Sequence, residues 1–353
     1  MGQSRVDLRS DTVTRPTPAM RRAMAEAEVG DDVYREDPTV NRLQERAAEI
    51  FNREAALLVP SGTMGNQTAL KVHTRPGREV ICEARAHIYN HEMGMMGAFS
   101  GVVPRTIVAE DGIMRWEQVE PLIRRRSDHH ASTGLVELEN TSNLAGGSVY
   151  PLAISDEICD RAHQRGLPVH LDGARIFNAS VALGRSVVEL TRKFDSIMFC
   201  LSKGLGAPVG SMVLGCKDFI EEARLVRKML GGGMRQAGIL AAAGLVALEE
   251  SPTRLHIDHE NAKFLAEGLA EIPGVEIDPA KVVTNILFFD VSASGLTARE
   301  VSKRLAAQGV LANPTGASIL RMVTHFDVDH AGCERALSVL RAVLAVAQNS
   351  VGA

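Results

Sequence analysis

Residues 195–206 read Asp-Ser-Ile-Met-Phe-Cys-Leu-Ser-Lys-Gly-Leu-Gly, an apolar run that stops abruptly in Lys203 and its glycines. The mostly apolar positions 195–201 have the pattern of a short strand buried on both faces, as in a parallel sheet. A lysine at the mouth of such a strand must either reach water with its tip or give up its charge. Simply ending a strand is the commoner role for it. A desolvated amine of lowered pKa is also the nucleophile that forms Schiff bases with carbonyl compounds. The neighbouring strand decides between the two.

That strand is Leu167-Pro-Val-His-Leu-Asp-Gly-Ala-Arg, apolar again and terminating in Asp172. A carboxylate at the end of a buried strand is unfavourable unless a cation meets it. Enzymes that use pyridoxal 5′-phosphate (PLP) contain this pair: an Asp keeps the pyridine nitrogen protonated and a Lys holds the aldehyde. Arg175, three residues on, is placed to grip a carboxylate in bidentate fashion. An internal Asp172–Arg175 ion pair would account for either residue alone. Asp and Lys at the ends of two successive buried strands favour a site.

The chain has 353 residues, room for about two domains. A hydrophobic content of 45% with 23% charged residues is that of an ordinary globular protein. The net charge of −4 gives no reason to expect nucleic acid or an anionic membrane as partner. Neither a signal peptide nor a transmembrane span is expected. The five cysteines (Cys82, Cys159, Cys200, Cys216 and Cys333) are odd in number and lack CxxC spacing. They point to a reducing, cytoplasmic compartment and away from zinc, and no metal ligand is expected among the site residues.

Residues 5–14 alternate without helical period and read as part of an extended arm, 1–14, with Ser10, Asp11 and Thr12 as turn and capping groups. Asp37 and Pro38 mark a helix start. Ala55–Val59 is a strand; Pro60-Ser-Gly-Thr then turns into a helix beginning near Thr63. Backbone N–H groups around Gly62 and Thr63 would make a phosphate seat, the plain alternative being an N-cap by Ser61 or Thr63. The loop is not GxxxxGK[ST], which argues against a nucleoside triphosphate.

Further strands are read at Glu79–Cys82, Val102–Val108, Leu135–Leu138 and Val209–Leu214, and Ser155 is read as opening a helix. Ser61–Thr63, His87, Asn140, Asp172 and Lys203 all follow the carboxyl ends of such strands, where open α/β sheets bind ligands. His129 and His130 fall in a polar loop. Gly231–Gly233, flanked by Lys228 and Arg235, suits an anion-binding loop or a hinge. The composition shifts near Ser251-Pro252, so a large domain is placed at 15–251 and a small α+β domain at 252–353. The latter holds helices near 253–271, 297–308 and 329–347, with strands at 284–291 and 319–323, the last carrying Arg321.

Taken together, Asp-Leu-Arg-Ser-Asp-Thr-Val-Thr at 7–14, Gly-Asp-Asp-Val-Tyr at 30–34, Ser-Gly-Thr-Met-Gly-Asn at 61–66 and His-Leu-Asp-Gly-Ala-Arg-Ile-Phe-Asn at 170–178 form an ordered set of motifs. Cys-Leu-Ser-Lys-Gly-Leu at 200–205, Lys-Met-Leu-Gly-Gly-Gly-Met-Arg-Gln-Ala-Gly at 228–238 and Arg-Met-Val-Thr-His at 321–325 complete it. The chain thereby resembles the low-specificity L-threonine aldolases from Asp7 to about Asp329. These are fold-type I PLP enzymes with a mostly parallel sheet flanked by helices and a smaller C-terminal α+β domain.

The resemblance implies retro-aldol cleavage of L-threonine, L-allo-threonine and related β-hydroxy-α-amino acids to glycine and an aldehyde. A β-eliminating lyase or an aminotransferase of the same fold is the alternative. An NAD enzyme would need GxGxxG after the first strand, which Ser61–Asn66 does not supply. The resemblance further implies that Lys203 joins PLP covalently, Asp172 holds its pyridine nitrogen, His87 stacks on its ring, and Gly62 and Thr63 hold its phosphate. Arg175, Ser202 and Arg235 complete the cofactor set. Ser10, Arg175 and Arg321 would take the substrate carboxylate. Tyr34, Lys228 and Arg235 would enter from a neighbouring copy of a homotetramer. His129 would lie near the substrate hydroxyl; the catalytic base is left among His129, His87 and an ordered water. Three positions depart from the family pattern: Arg35 stands where Gly is usual, Ser142 where His is, and His130 where an aromatic often is.

Overall fold

The computed structural model describes residues 5–351. They divide into two compact units, one of residues 16–252 and one that joins residues 5–15 to the segment from Thr253 onward. Residues 1–4 of the expected arm and 352–353 of the expected C-terminal domain lie outside the described residues. In chain order the strands are β1 (Val6–Asp7), β2 (Ala55–Val59), β3 (Glu79–Glu83), β4 (Val103–Ile107), β5 (Thr133–Glu139) and β6 (Val169–Asp172). They continue with β7 (Ser196–Cys200), β8 (Ser211–Gly215), β9 (Ile286–Asp290), β10 (Val310–Leu311), β11 (Asn313–Pro314) and β12 (Ile319–Val323).

The larger unit is built on a seven-stranded sheet of order β2-β8-β7-β6-β5-β3-β4. Strands β4, β3, β5, β6 and β7 run parallel, and β8 alone opposes its two neighbours. Every residue of β7 is buried, as both-faced coverage by helices requires. Alternation along it sends Met198 and Cys200 to one face, with Leu57, Ala69, Phe219 and Ala223. Phe199 goes to the other face, stacked on Phe51 at 4.9 Å and edge-on to Phe177 at 5.5 Å. The carboxyl ends of the parallel strands thus share one edge, which fixes where the side chains that follow them emerge.

Local chemistry sets the helix starts. Asp37 Oδ1 accepts from the N–H groups of Thr39 and Val40, at 3.1 and 2.9 Å, and Pro38 opens the helix Pro38–Ile50. Its Oδ2 accepts from Gly30 and from Gly238, where a Cβ would lie 2.5 Å from the carboxylate. Ser61 caps the helix Gly62–His73 through Met64 N–H. The helix expected from Ser155 instead spans Leu152–Gln164, after Pro151, and Ser155 Oγ donates back to the Leu152 carbonyl inside its first turn.

In the smaller unit β9, β12 and β11 form an antiparallel sheet. Helices Leu255–Ala270, Ala298–Ala307 and His330–Val351 cover it around a core that includes Leu265, Leu305, Met322 and Leu340. The extended segment near the amino end is not a separate arm here: β1 pairs in parallel with β10, and Val6 and Leu8 are buried in that core. Alternating apolar residues explain why it docks.

Candidate active site

Asp172 ends β6 and is 1% exposed. Its Oδ1 accepts from Ala174 N–H at 3.0 Å and its Oδ2 from the Asn66 amide at 2.7 Å. Asn66 lies on the helix Gly62–His73 and also donates to Glu92 Oε1 at 2.9 Å, while Gln67 donates to Glu92 Oε2 at 2.6 Å. His87 follows β3; its N–H donates to Glu139 Oε2 and its Nδ1 meets Glu92 Oε1, both at 2.8 Å. A ring nitrogen of His87 and a carboxylate oxygen each from Glu92 and Asp172 all lie within 4.8 Å of one another. Lys203, half-buried, follows β7 and is close enough to act electrostatically on His87.

The helix start beside these groups has a cradle. A Cβ on Gly62 would stand 2.9 Å from Cys200 Sγ, so only glycine lets the first turn approach the end of β7 so closely. N–H groups of a first turn have no partner within their own helix and favour an anion. A carboxylate supplied with donors, a lysine beyond the next strand and a helix start form the donor set that PLP needs for its pyridine nitrogen, aldehyde and phosphate. The residues fit the group.

The electrostatics separate the carboxyl groups. Burial pushes Glu137 well up, reinforced by the charges of Asp172 and Glu139, and neither of its oxygens has a hydrogen-bond partner. Glu139 rises to about 7, first by burial and then by the charge of Asp172, against the N–H groups of Asn143 and His87. For His87 burial works downward, but the Glu92 hydrogen bond and the Asp172 charge outweigh it and raise the imidazole. Because folded Glu139 keeps its proton to about 7 while an unfolded one loses it near 4.5, its stabilising effect is full below that lower value and lost through 7. The urea midpoint of the unaltered chain relative to Glu139→Gln is therefore expected to fall as pH rises through this window. A difference that grows with pH would contradict the burial of a neutral acid.

Other expected site residues are distributed differently. Arg175 is buried, starting the helix Ile176–Leu183, and Ser202 is half-buried beside Lys203. Asn140 is structural, accepting from Tyr150 N–H. Ser10 and Arg321 belong to the smaller unit, where Arg321 donates to the carbonyl of Arg9, next to Ser10. Tyr34, Lys228 and Arg235 are exposed, with Arg235 on Asp31 at 3.0 Å. His129 and His130 are exposed in the loop that precedes β5. That loop lies at the amino end of a parallel strand, so within one chain it is not brought to Asp172 and Lys203, which follow carboxyl ends. Asn66, Gln67, Glu92, Glu139 and His170 join the site although the sequence alone assigns them no role. Glu137 and Glu139 did carry a signal, since two carboxylates in a buried strand are abnormal.

The sequence pattern of the family described as beta-eliminating lyase matches residues 7–292. The low-specificity L-threonine aldolase 1 of Arabidopsis thaliana is 46% identical, over 97% of this chain and 97% of that protein. The low specificity L-threonine aldolase of Escherichia coli K12 is 45% identical over 96% and 99%. The chain belongs to the low-specificity L-threonine aldolase family. A solved threonine aldolase from Leishmania major superposes with a TM-score of 0.80 at 22% identity, covering 96% of this chain and 99% of that one. The fold is that of the fold-type I PLP enzymes.

Two departures from the aldolase pattern have structural correlates. Arg35 takes the left-handed conformation, φ 63°, that glycine adopts most easily, and pairs with Glu221 at 3.1 Å. Ser142 is 3% exposed, and a Cβ on Gly112 would come 2.8 Å from its Oγ, so the small side chain fills a tight space.

Proposed function

We propose that the chain uses PLP to cleave L-threonine, L-allo-threonine and related β-hydroxy-α-amino acids between Cα and Cβ, giving glycine and an aldehyde. The observation that carries the reading is the buried, donor-supplied Asp172 beside His87 and one strand from Lys203. When bound, PLP supplies an electron-poor ring that takes up the charge left on Cα. Asp172 would hold the pyridine nitrogen, Lys203 the aldehyde, and Gly62 and Thr63 the phosphate, with Ser202 and Arg175 nearby. The substrate carboxylate is assigned to Arg175, Ser10 and Arg321 by resemblance.

His87 is our choice of base. Glu92 accepts from Asn66, Gln67 and His87, which puts a proton on His87 Nδ1 and leaves Nε2 to take the β-hydroxyl proton. That proton can return to Cα to complete glycine. His87→Asn is expected to lower turnover on threonine by roughly 10²–10⁴-fold, the usual range for general-base help, and by more than His129→Ala. A larger loss for His129→Ala would place the base on another copy of the chain. Incubation with L-threonine alone tests the reaction: glycine and acetaldehyde are expected, and release of ammonia would favour β-elimination.

Self-association into a homotetramer that shares Tyr34, Lys228 and Arg235 between copies belongs to the same reading. Supporting it, Tyr34 is 72% exposed, and the apolar Leu225 and Met229 are 61% and 62% exposed on the helix that carries Lys228. A cytoplasmic setting is supported by five unpaired cysteines, four of them buried. Among the described residues no helix is long and apolar enough to cross a membrane.

A further inference from the structure

Behind Asp172 runs a line of polar side chains that the reaction itself does not use. His73 Nε2 lies 2.7 Å from Ser196 Oγ, and Ser196 Oγ lies 2.8 Å from His170 Nδ1. His170 Nε2 lies 3.1 Å from Asn66 Oδ1, and the Asn66 amide nitrogen reaches Asp172 and Glu92 at 2.7 and 2.9 Å. Asn66, His170 and Ser196 are completely buried; His73 is half-buried and stacks on Phe219.

Counting protons fixes the direction of every link. The Asn66 NH₂ has two hydrogens, and the two carboxylates take both. Turning the amide over would press its oxygen against both carboxylates, so Oδ1 is the atom that faces His170. An acceptor there requires the proton on His170 Nε2 and leaves Nδ1 bare to accept from the Ser196 hydroxyl. Ser196 Oγ in turn accepts from His73 Nε2–H. Burial holds His170 down at about 3 and His73 at about 4, so neither ring takes a second proton near neutral pH and reverses a link.

We propose that Asn66 and His170, backed by Ser196, are positioning residues whose one-way hydrogen bonds hold Asp172 as an ionised carboxylate for the protonated pyridine nitrogen. The proposal rests on the PLP reading above. A carboxylate that accepts from strong donors is favoured in its charged form, and a buried line of donors polarises along its length. Titrating or charged groups around Asp172 include Glu137 and Glu139 on β5, His87 and Glu92 beyond β3, His170 on its own strand, and the buried Arg175 three residues on. Lys203, beyond β7, acts on His87. Their titrations shape any absolute pH profile, so the informative quantity is the difference between a variant and the unaltered chain.

The full chain stripped of cofactor should be titrated with PLP from about pH 6 to about pH 8, as the unaltered chain, Asn66→Leu and His170→Phe. Losing a donor makes the charged form of the carboxylate less favourable, so the pairing with the protonated pyridine nitrogen should weaken further as pH falls. Asn66→Leu is expected to bind PLP about tenfold more weakly near pH 8 and about a hundredfold more weakly near pH 6. His170→Phe should shift in the same sense by a smaller factor. Ring-nitrogen NMR of the unaltered chain should show His170 protonated on Nε2 only, across the same range. A loss of affinity equal at every pH, which mere packing damage would give, or a His170 proton on Nδ1, would overturn the proposal. Failure of the unaltered chain to bind PLP would overturn the cofactor reading and the proposal together, and the reference titration tells that case apart.

Discussion

Lys203→Ala is expected to leave a folded chain that cleaves threonine on the order of 10⁴-fold or more slowly. The amine is half-buried, three residues beyond the last position of a fully buried strand. Removing a half-buried side chain opens no large core cavity, so the thermal midpoint should change little. Activity should collapse for a different reason: the group proposed to hold the cofactor's aldehyde and to carry a proton beside it is gone. Two measurements keep these apart. Glycine release gives the rate, and borohydride treatment of the unaltered chain should fix the cofactor to the peptide bearing Lys203. Cofactor fixed to another lysine, or full turnover by Lys203→Ala, would end the assignment.

The largest stability effect is expected at Asp32, away from the chemistry. Arg227 and Asp32 are each 2% exposed and meet at 2.6 Å, and the other arm of the guanidinium donates to the Leu58 carbonyl at 2.8 Å. Arg224 stands near the same carboxylate, at 3.9 Å. Asp32→Ala would leave a buried guanidinium without its counter-charge, a loss of about 3–5 kcal/mol. For a unit of this size that lowers the melting temperature by roughly 6–20 °C. Replacing both partners by apolar residues, as in Asp32→Leu with Arg227→Met, should recover most of the loss, because a well-packed apolar pair is often as stable as a buried ion pair. If the double variant melts no higher than Asp32→Ala, packing rather than charge governs the site.

The outline of the fold was legible because its signals are local. Ala55–Val59 and Ile319–Val323 announce themselves as short apolar runs, and Asp37-Pro38 as a helix start. Asp172 and Lys203 stood out because a charge at the end of an apolar run is a local anomaly. The line from His73 to Asp172 was not legible. It links one helix and two strands, and its partners meet only because β6 and β7 pair with His170 opposite Ser196. Register of that kind depends on the whole sheet. Glu92 lies in an irregular stretch after His87 with no periodicity to mark it. His129 is the instructive case. Its loop precedes a parallel strand, and sites form beyond the carboxyl ends. That rule was available from the strand reading, and it separates His129 from Lys203 within one chain whatever the motif suggests.

The pairing of β1 with β10 also bears on how the protein is made. Arg15 N–H reaches Asp327 Oδ2 across 312 positions of sequence. At a synthesis rate of about 5–20 residues per second, roughly 15–60 s separate the appearance of those two residues. Within that interval the chain completes residues 16–252, which hold all seven strands of the large sheet. Residues 5–15 have no strand to join until β10 emerges. The larger unit can therefore finish folding while the smaller one is still missing most of its parts, and β1, which leaves the ribosome ahead of every strand of the large sheet, is among the last to find its place.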